Sequence, residues 1–143
     1  MARSAGSLGM EQSRSFGRRD QTRAVPAARE EDVEMAVDIQ SGGTVVVRLV
    51  GRLDLASAAE VKQRLTRAIA EGHRRLVVDL GDVTFIDSSG LGALIGGLKA
   101  ARLQRGDLRI ARPGEQARLV LELTTLDRVL RPYPTVEEAL ADD

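Results

Sequence analysis

A single α/β domain with a mixed sheet and helices packed on it is the fold this sequence predicts. Three observations carry that expectation. Short apolar runs rich in β-branched residues alternate with amphipathic stretches of helical length. The 143 residues suffice for one hydrophobic core and not for two. No internal repeat is visible along the chain.

Regular patterning begins at Met35. Met35 to Gln40 alternates apolar and polar residues as a strand does, and Ser41-Gly42-Gly43 supplies a turn. Thr44 to Leu53 is β-branched and apolar, so the two runs predict a hairpin. A helix is expected from Ser57 to Glu71, with Val61, Leu65, Ala68 and Ile69 on one face and Gly72 as its stop. Arg75 to Leu80 reads as a buried strand, Gly81-Asp82 as a turn, and Val83 to Ile86 as renewed extended chain. Leu91, Leu94, Ile95 and Leu98 line a second helix from Ser89 to Arg105. Asp107 to Ala111 is a further strand, Pro113-Gly114 a break, and Glu115 to Thr125 a helix carrying Ala117, Val120 and Leu121. A short strand near Arg128 to Leu130 and a last helix from Thr135 to Ala141 complete the series.

Residues 1–34 differ in kind. Six arginines precede Glu30, against the two acids Glu11 and Asp20, and four acids then crowd Glu30 to Glu34. With few apolar residues and no period, the stretch cannot bury enough surface to offset its ordering entropy, so a disordered tail is expected. An arginine-rich docking arm, a transit-like sequence, a solvated extension or a start assigned too early all fit it. Residues 35–143 form the expected domain, with fifteen basic and fifteen acidic side chains.

Composition removes several function classes. The formal net charge is zero, so nothing draws the chain generally to nucleic acid or membranes. Three aromatics, Phe16, Phe85 and Tyr133, are too few for a base-stacking platform. The absence of cysteine excludes disulfides, thiol nucleophiles and thiolate metal sites. With one histidine, His73 beside the helix stop Gly72, a transition-metal site is not expected either. No apolar run has the length of a transmembrane helix, and no hydrophobic segment follows Met1, so a cytoplasmic protein is expected. Two lysines against nineteen arginines, with abundant alanine, point to a bacterial gene of high GC content.

The chemistry concentrates where a strand turns into a helix, at Phe85-Ile86-Asp87-Ser88-Ser89-Gly90-Leu91-Gly92. A helix start offers unpaired N–H groups and the positive end of the peptide dipoles. A hydroxyl there can cap the helix, and a phosphate there meets ready donors. Gly90 and Gly92 lack a Cβ and let another group approach, at a cost of about 1 kcal/mol each in a helix interior. On residues alone the segment is read either as a plain cap, with Asp87 or Ser88 capping, or as a site.

Asp87-Ser88-Ser89-Gly90-Leu91-Gly92 resembles the phosphorylation motif of the bacterial anti-sigma factor antagonists, the STAS domain family, and Gly51-Arg52-Leu53-Asp54 is similar to that family's upstream signature. One helix and one strand lie between them, as the family requires, and the resemblance spans roughly Val37 to Leu140. It implies a non-enzymatic, cofactor-free anti-anti-sigma factor. The partner is an anti-sigma factor that is also a serine kinase. Ser89 is the implied phosphate acceptor with Ser88 as fallback, and Asp54, Asp87, Ser88, Ser89, Gly90, Leu91 and Gly92 are the implied partner-binding residues. The unphosphorylated form holds the kinase and frees the sigma factor, phosphorylation ends binding, and a phosphatase restores it. The alternative is a STAS scaffold or sensor subunit that is never phosphorylated.

Other motifs fall short. Gly90-Leu91-Gly92-Ala93-Leu94-Ile95-Gly96 has Ile95 where a dinucleotide fingerprint needs glycine, and no Gly-Lys-Ser or Gly-Lys-Thr loop occurs. Ser88 and Ser89 lack the upstream glycine of a hydrolase elbow. Asp79 and Asp82 are expected to be solvated turn residues, and Arg74-Arg75 and Arg102 with Arg105 solvated faces.

Overall fold

The computed structural model describes residues 33–141. Five strands form one sheet in sequence order: β1 (Val33–Ile39), β2 (Thr44–Leu53), β3 (Arg75–Ile86), β4 (Asp107–Ala111) and β5 (Pro132–Tyr133). β1 runs antiparallel to β2, and the remaining neighbours are parallel. Two helices, α1 (Leu55–Ala70) and α2 (Ser88–Leu103), are the crossovers of successive β-α-β units. α3 (Glu115–Leu123) and the single-turn α4 (Asp127–Leu130) follow β4, and α5 (Val136–Ala141) is the last element of the described residues.

The predicted mixed sheet is present, with differences in detail. β1 opens at Val33, two residues inside the segment read as tail; the rest of that segment, residues 1–32, lies outside the described residues. α1 starts at Leu55 rather than Ser57, because Asp54 and not a later serine supplies its cap. The strand expected near Arg128 to Leu130 is helix α4, whose Leu130 is fully buried, and the strand comes only afterwards as β5. Arg131 between them has a left-handed φ of 42°, which turns the chain from α4 into the sheet.

The period-2 and period-3.6 patterns place the core. Val45, Val47 and Leu49 of β2, Leu76, Val78 and Leu80 of β3, and Leu108 and Ile110 of β4 face one side. There they meet Val61, Leu65 and Ile69 of α1, Leu91, Leu94 and Leu98 of α2, and Ala117 and Leu121 of α3. A smaller cluster of Val46, Val77, Ala111 and Ala139 lies on the other side, under α5.

Gly81-Asp82 is not a turn: β3 continues through both, with a register shift against β2 between Asp79 and Asp82. Asp79, expected in solvent, is buried on the α5 side. The Arg112 guanidinium grips its carboxylate with two hydrogen bonds of 2.9 Å, and Gly81 N–H donates a third at 2.9 Å. A side chain at Gly81 would displace that guanidinium, so the glycine makes room for the ion pair. Asp82 pairs with Arg48 across the strands. Burial pushes the Asp79 carboxyl up, but the Arg112 hydrogen bonds, the Gly81 N–H and the charges of Arg112 and Arg48 outweigh it and hold it below its ordinary value.

A group depressed in this way contributes stability above its unfolded value, and that contribution is lost as pH falls through its folded value. Arg112→Met is therefore expected to cost about 1–2 kcal/mol at pH 7, a modest figure because the guanidinium is half exposed. In urea unfolding the gap between wild type and variant should narrow as pH falls below the ordinary carboxylate value of about 4 and on through the lower folded value of Asp79. A gap equal at pH 7 and pH 3 would contradict this account.

Candidate functional site

The C-terminal ends of β2 and β3 lie side by side, with Arg52 opposite Phe85 and Leu53 opposite Ile86. Each strand leads directly into a helix, so two helix N-termini emerge at one corner of the sheet. Gly51, at φ 112°, lets β2 take the bend that precedes this corner, where another residue would be strained.

Each helix is capped by its own aspartate. Asp54 Oδ1 accepts from Ala56 N–H at 3.1 Å, and Ser57 Oγ returns the favour by accepting from Asp54 N–H at 3.1 Å. The buried Ser57 hydroxyl donates in turn to Arg52 C=O at 2.8 Å. Asp87 Oδ1 accepts from Gly90 N–H at 2.9 Å and so caps α2. Its second oxygen, Oδ2, accepts from Leu55 N–H at 3.3 Å, in the first turn of the other helix. One carboxylate thus serves both helix starts.

Of the two capping candidates, Asp87 and Ser88, the structure uses Asp87. Neither Ser88 nor Ser89 makes a side-chain hydrogen bond to another described residue. Ser88 is exposed and Ser89 half-buried, in the first turn of α2, where backbone N–H groups lack helical partners.

The two glycines separate as well. A Cβ on Gly90 would overlap Leu53 C=O and come within 2.8 Å of Leu53 Cγ, so Gly90 lets α2 sit against β2. Gly92 is exposed and a Cβ there would meet nothing within 4 Å. Gly90 and Leu91, expected to touch a partner, are instead buried and pack the domain. Asp54, Asp87, Ser88, Ser89 and Gly92 remain at the surface of the corner, half-buried or exposed.

Three neighbours escaped the sequence reasoning as parts of the site. Arg52 donates from Nε to Asp54 Oδ2 at 3.2 Å, and its guanidinium lies 4.4 Å from the centre of the Phe85 ring. Leu55 is 77% exposed at the start of α1, an apolar side chain left to solvent beside the two caps. Arg52 stood within the quoted signature, but no local pattern marks Phe85 as its platform or Leu55 as exposed.

The sequence pattern of the STAS domain matches residues 35–139, and the chain belongs to that family. A Thermotoga neapolitana protein carrying an anti-sigma factor antagonist name is 35% identical over 72 residues; the match covers 50% of this chain and 64% of that relative's length. The anti-sigma-B factor antagonist of Bacillus subtilis is 30% identical over 95 residues, covering 66% of this chain and 86% of its own. A solved structure described as the anti-sigma factor antagonist SpoIIAA in its unphosphorylated form superposes with a TM-score of 0.66 at 25% identity, over 75% of this chain and 93% of that one. Among the described residues no helix is long and apolar enough to cross a membrane.

Proposed function

We propose that this chain is an anti-sigma factor antagonist switched by phosphorylation of Ser89. Unphosphorylated, it holds an anti-sigma factor that is also a serine kinase, and the sigma factor is thereby free. The kinase then moves a phosphoryl group from ATP to Ser89 Oγ, binding ends, and a separate phosphatase resets the chain. The protein works in the cytoplasm and carries out no reaction of its own.

The observation that carries this reading is the uncommitted pair of serine hydroxyls beside a cap already supplied by Asp87. A phosphate on Ser89 adds about −1.5 to −2 charges at one point. The α2 N-terminus stabilises that charge locally, so the fold survives it. With Asp54 offset by Arg52, the phosphate and Asp87 leave the corner net negative once phosphate is added. An acidic partner surface that fitted before is then repelled. The relatives' names, and the solved neighbour described by its phosphorylation state, support the same role.

Intact mass after incubation with ATP and the anti-sigma kinase of the same organism tests it. Wild type is expected to gain one phosphate and Ser89→Ala none, whereas Ser88→Ala should still be modified. Uptake by neither wild type nor Ser88→Ala would leave the non-phosphorylated scaffold as the reading.

A further inference from the structure

β3 reaches farther than its neighbour on one side. Its pairing with β4 ends at Asp79 opposite Ala111, while on the β2 side pairing continues to Ile86. Within a strand the N–H and C=O of one residue point to the same side, and at Ile86 that is the side β4 no longer fills. Ile86 is buried, so both groups need partners. Gln116 on α3 provides them: Ile86 N–H donates to Gln116 Oε1 at 2.9 Å, and Gln116 Nε2 donates to Ile86 C=O at 2.8 Å. One carboxamide, holding one acceptor and one donor side by side, takes the place of a missing strand residue.

The residue fixed in this way stands directly before Asp87, whose carboxylate joins the starts of α1 and α2. We infer that Gln116 is a positioning residue of the switch: by pinning Ile86 it holds the Asp87 carboxylate on Gly90 N–H and Leu55 N–H, and so sets the geometry in which Ser88 and Ser89 are presented. The inference rests on the reading of that corner as the partner-binding switch. It makes α3 part of the switch although none of the quoted motifs lies on it.

Residue-resolved amide exchange on the purified chain tests this without any partner. In Gln116→Met, which keeps the length and removes both hydrogen bonds, exchange at Gly90 and Leu55 should quicken about tenfold beyond any change at Val47 and Val78 in the sheet centre. Gly90 and Leu55 N–H donate to Asp87 and not to Gln116, so a side chain that merely completes the β3 edge would not move them. Gln116→Glu keeps an acceptor for Ile86 N–H but sets a carboxylate oxygen against Ile86 C=O. There Gly90 and Leu55 should quicken as well while Ile86 stays comparatively protected. Unchanged exchange at Gly90 and Leu55 in either variant overturns the inference, and so does an equal rise at Val47 and Val78. Because no kinase enters, the result at Gln116 and the result at Ser89 can fail independently.

Discussion

Gly90→Ala is expected to destabilise the domain by about 2–3 kcal/mol or more, whereas Gly92→Ala should leave it as stable as before or stabilise it by up to about 1 kcal/mol. The two residues lie in the same first turns of α2 and look interchangeable in sequence. A methyl at Gly90 has to push into the Leu53 carbonyl, which is backbone and cannot rotate away. Relief requires α2 to lift from β2, and Asp87 N–H, which donates to that same carbonyl at 3.3 Å, would lose its partner. At Gly92 the added methyl meets open space and the ordinary helix propensity of alanine prevails. For a domain near this size, the first substitution should lower Tm by about 10 °C or more. Thermal unfolding followed by circular dichroism reads both; an equal loss at the two positions would show that α2 does not rest on β2 through Gly90. Gly92→Ala has its own use, since a variant that folds normally yet binds its partner less well would mark Gly92 as the place where a partner comes close.

Replacement of Ser89 by aspartate should separate binding from folding in the opposite sense. The new carboxylate is placed where α2 N–H groups are unpaired, so thermal stability should shift by less than about 1 kcal/mol. Affinity for the anti-sigma factor should fall by about 5- to 150-fold, the usual range for a coupling of ~1–3 kcal/mol. The two carboxylates already at the corner, Asp54 and Asp87, give the third its effect. Calorimetric titration of the partner with wild type, Ser89→Asp and Ser89→Ala checks this. Alanine removes the hydroxyl without adding charge and should bind nearly as wild type does. Equal weakening by alanine and aspartate would mean that the hydroxyl itself is the contact and charge is not the signal.

The sequence made the central strands and both crossover helices legible, because each buries one face and repeats its apolar residues at the period of its own geometry. β2 and β4 have the predicted ends. What stayed hidden was decided by contacts between distant residues. The Gly81-Asp82 pair carries ordinary turn residues, yet β3 continues through them, and Arg112, thirty-three positions from Asp79, lies over the glycine. The buried Asp79 carboxylate is held by that half-exposed guanidinium, a partner no local pattern indicates. Of the candidate site, Asp87 and the two serines could be read as a helix start because helix starts have a local grammar, whereas Asp54 and the choice of Ser89 came only through the family resemblance. The inward turn of Gly90 could not, since the motif does not say that it packs on the sheet, whereas Leu91 stood on the apolar face with Leu94 and Leu98. Gln116 lies thirty residues from the Ile86 backbone it binds, and nothing near it in the chain announces that contact.

The Asp87 carboxylate, shared between Gly90 N–H and Leu55 N–H, also limits how this corner can be transplanted. A designer who moves only the stretch from Ile86 to Gly92 into another α/β scaffold carries one half of a two-part fitting. Asp87 Oδ2 would arrive without its second donor, and α2 would lose its tie to the neighbouring crossover. The portable unit is discontinuous: Gly51 to Ser57 from one β-α junction together with Phe85 to Gly92 from the next, set in adjacent parallel strands at the same register. A chimera built with both pieces should hold the serines in place; one built with the second alone should fold and present them loosely.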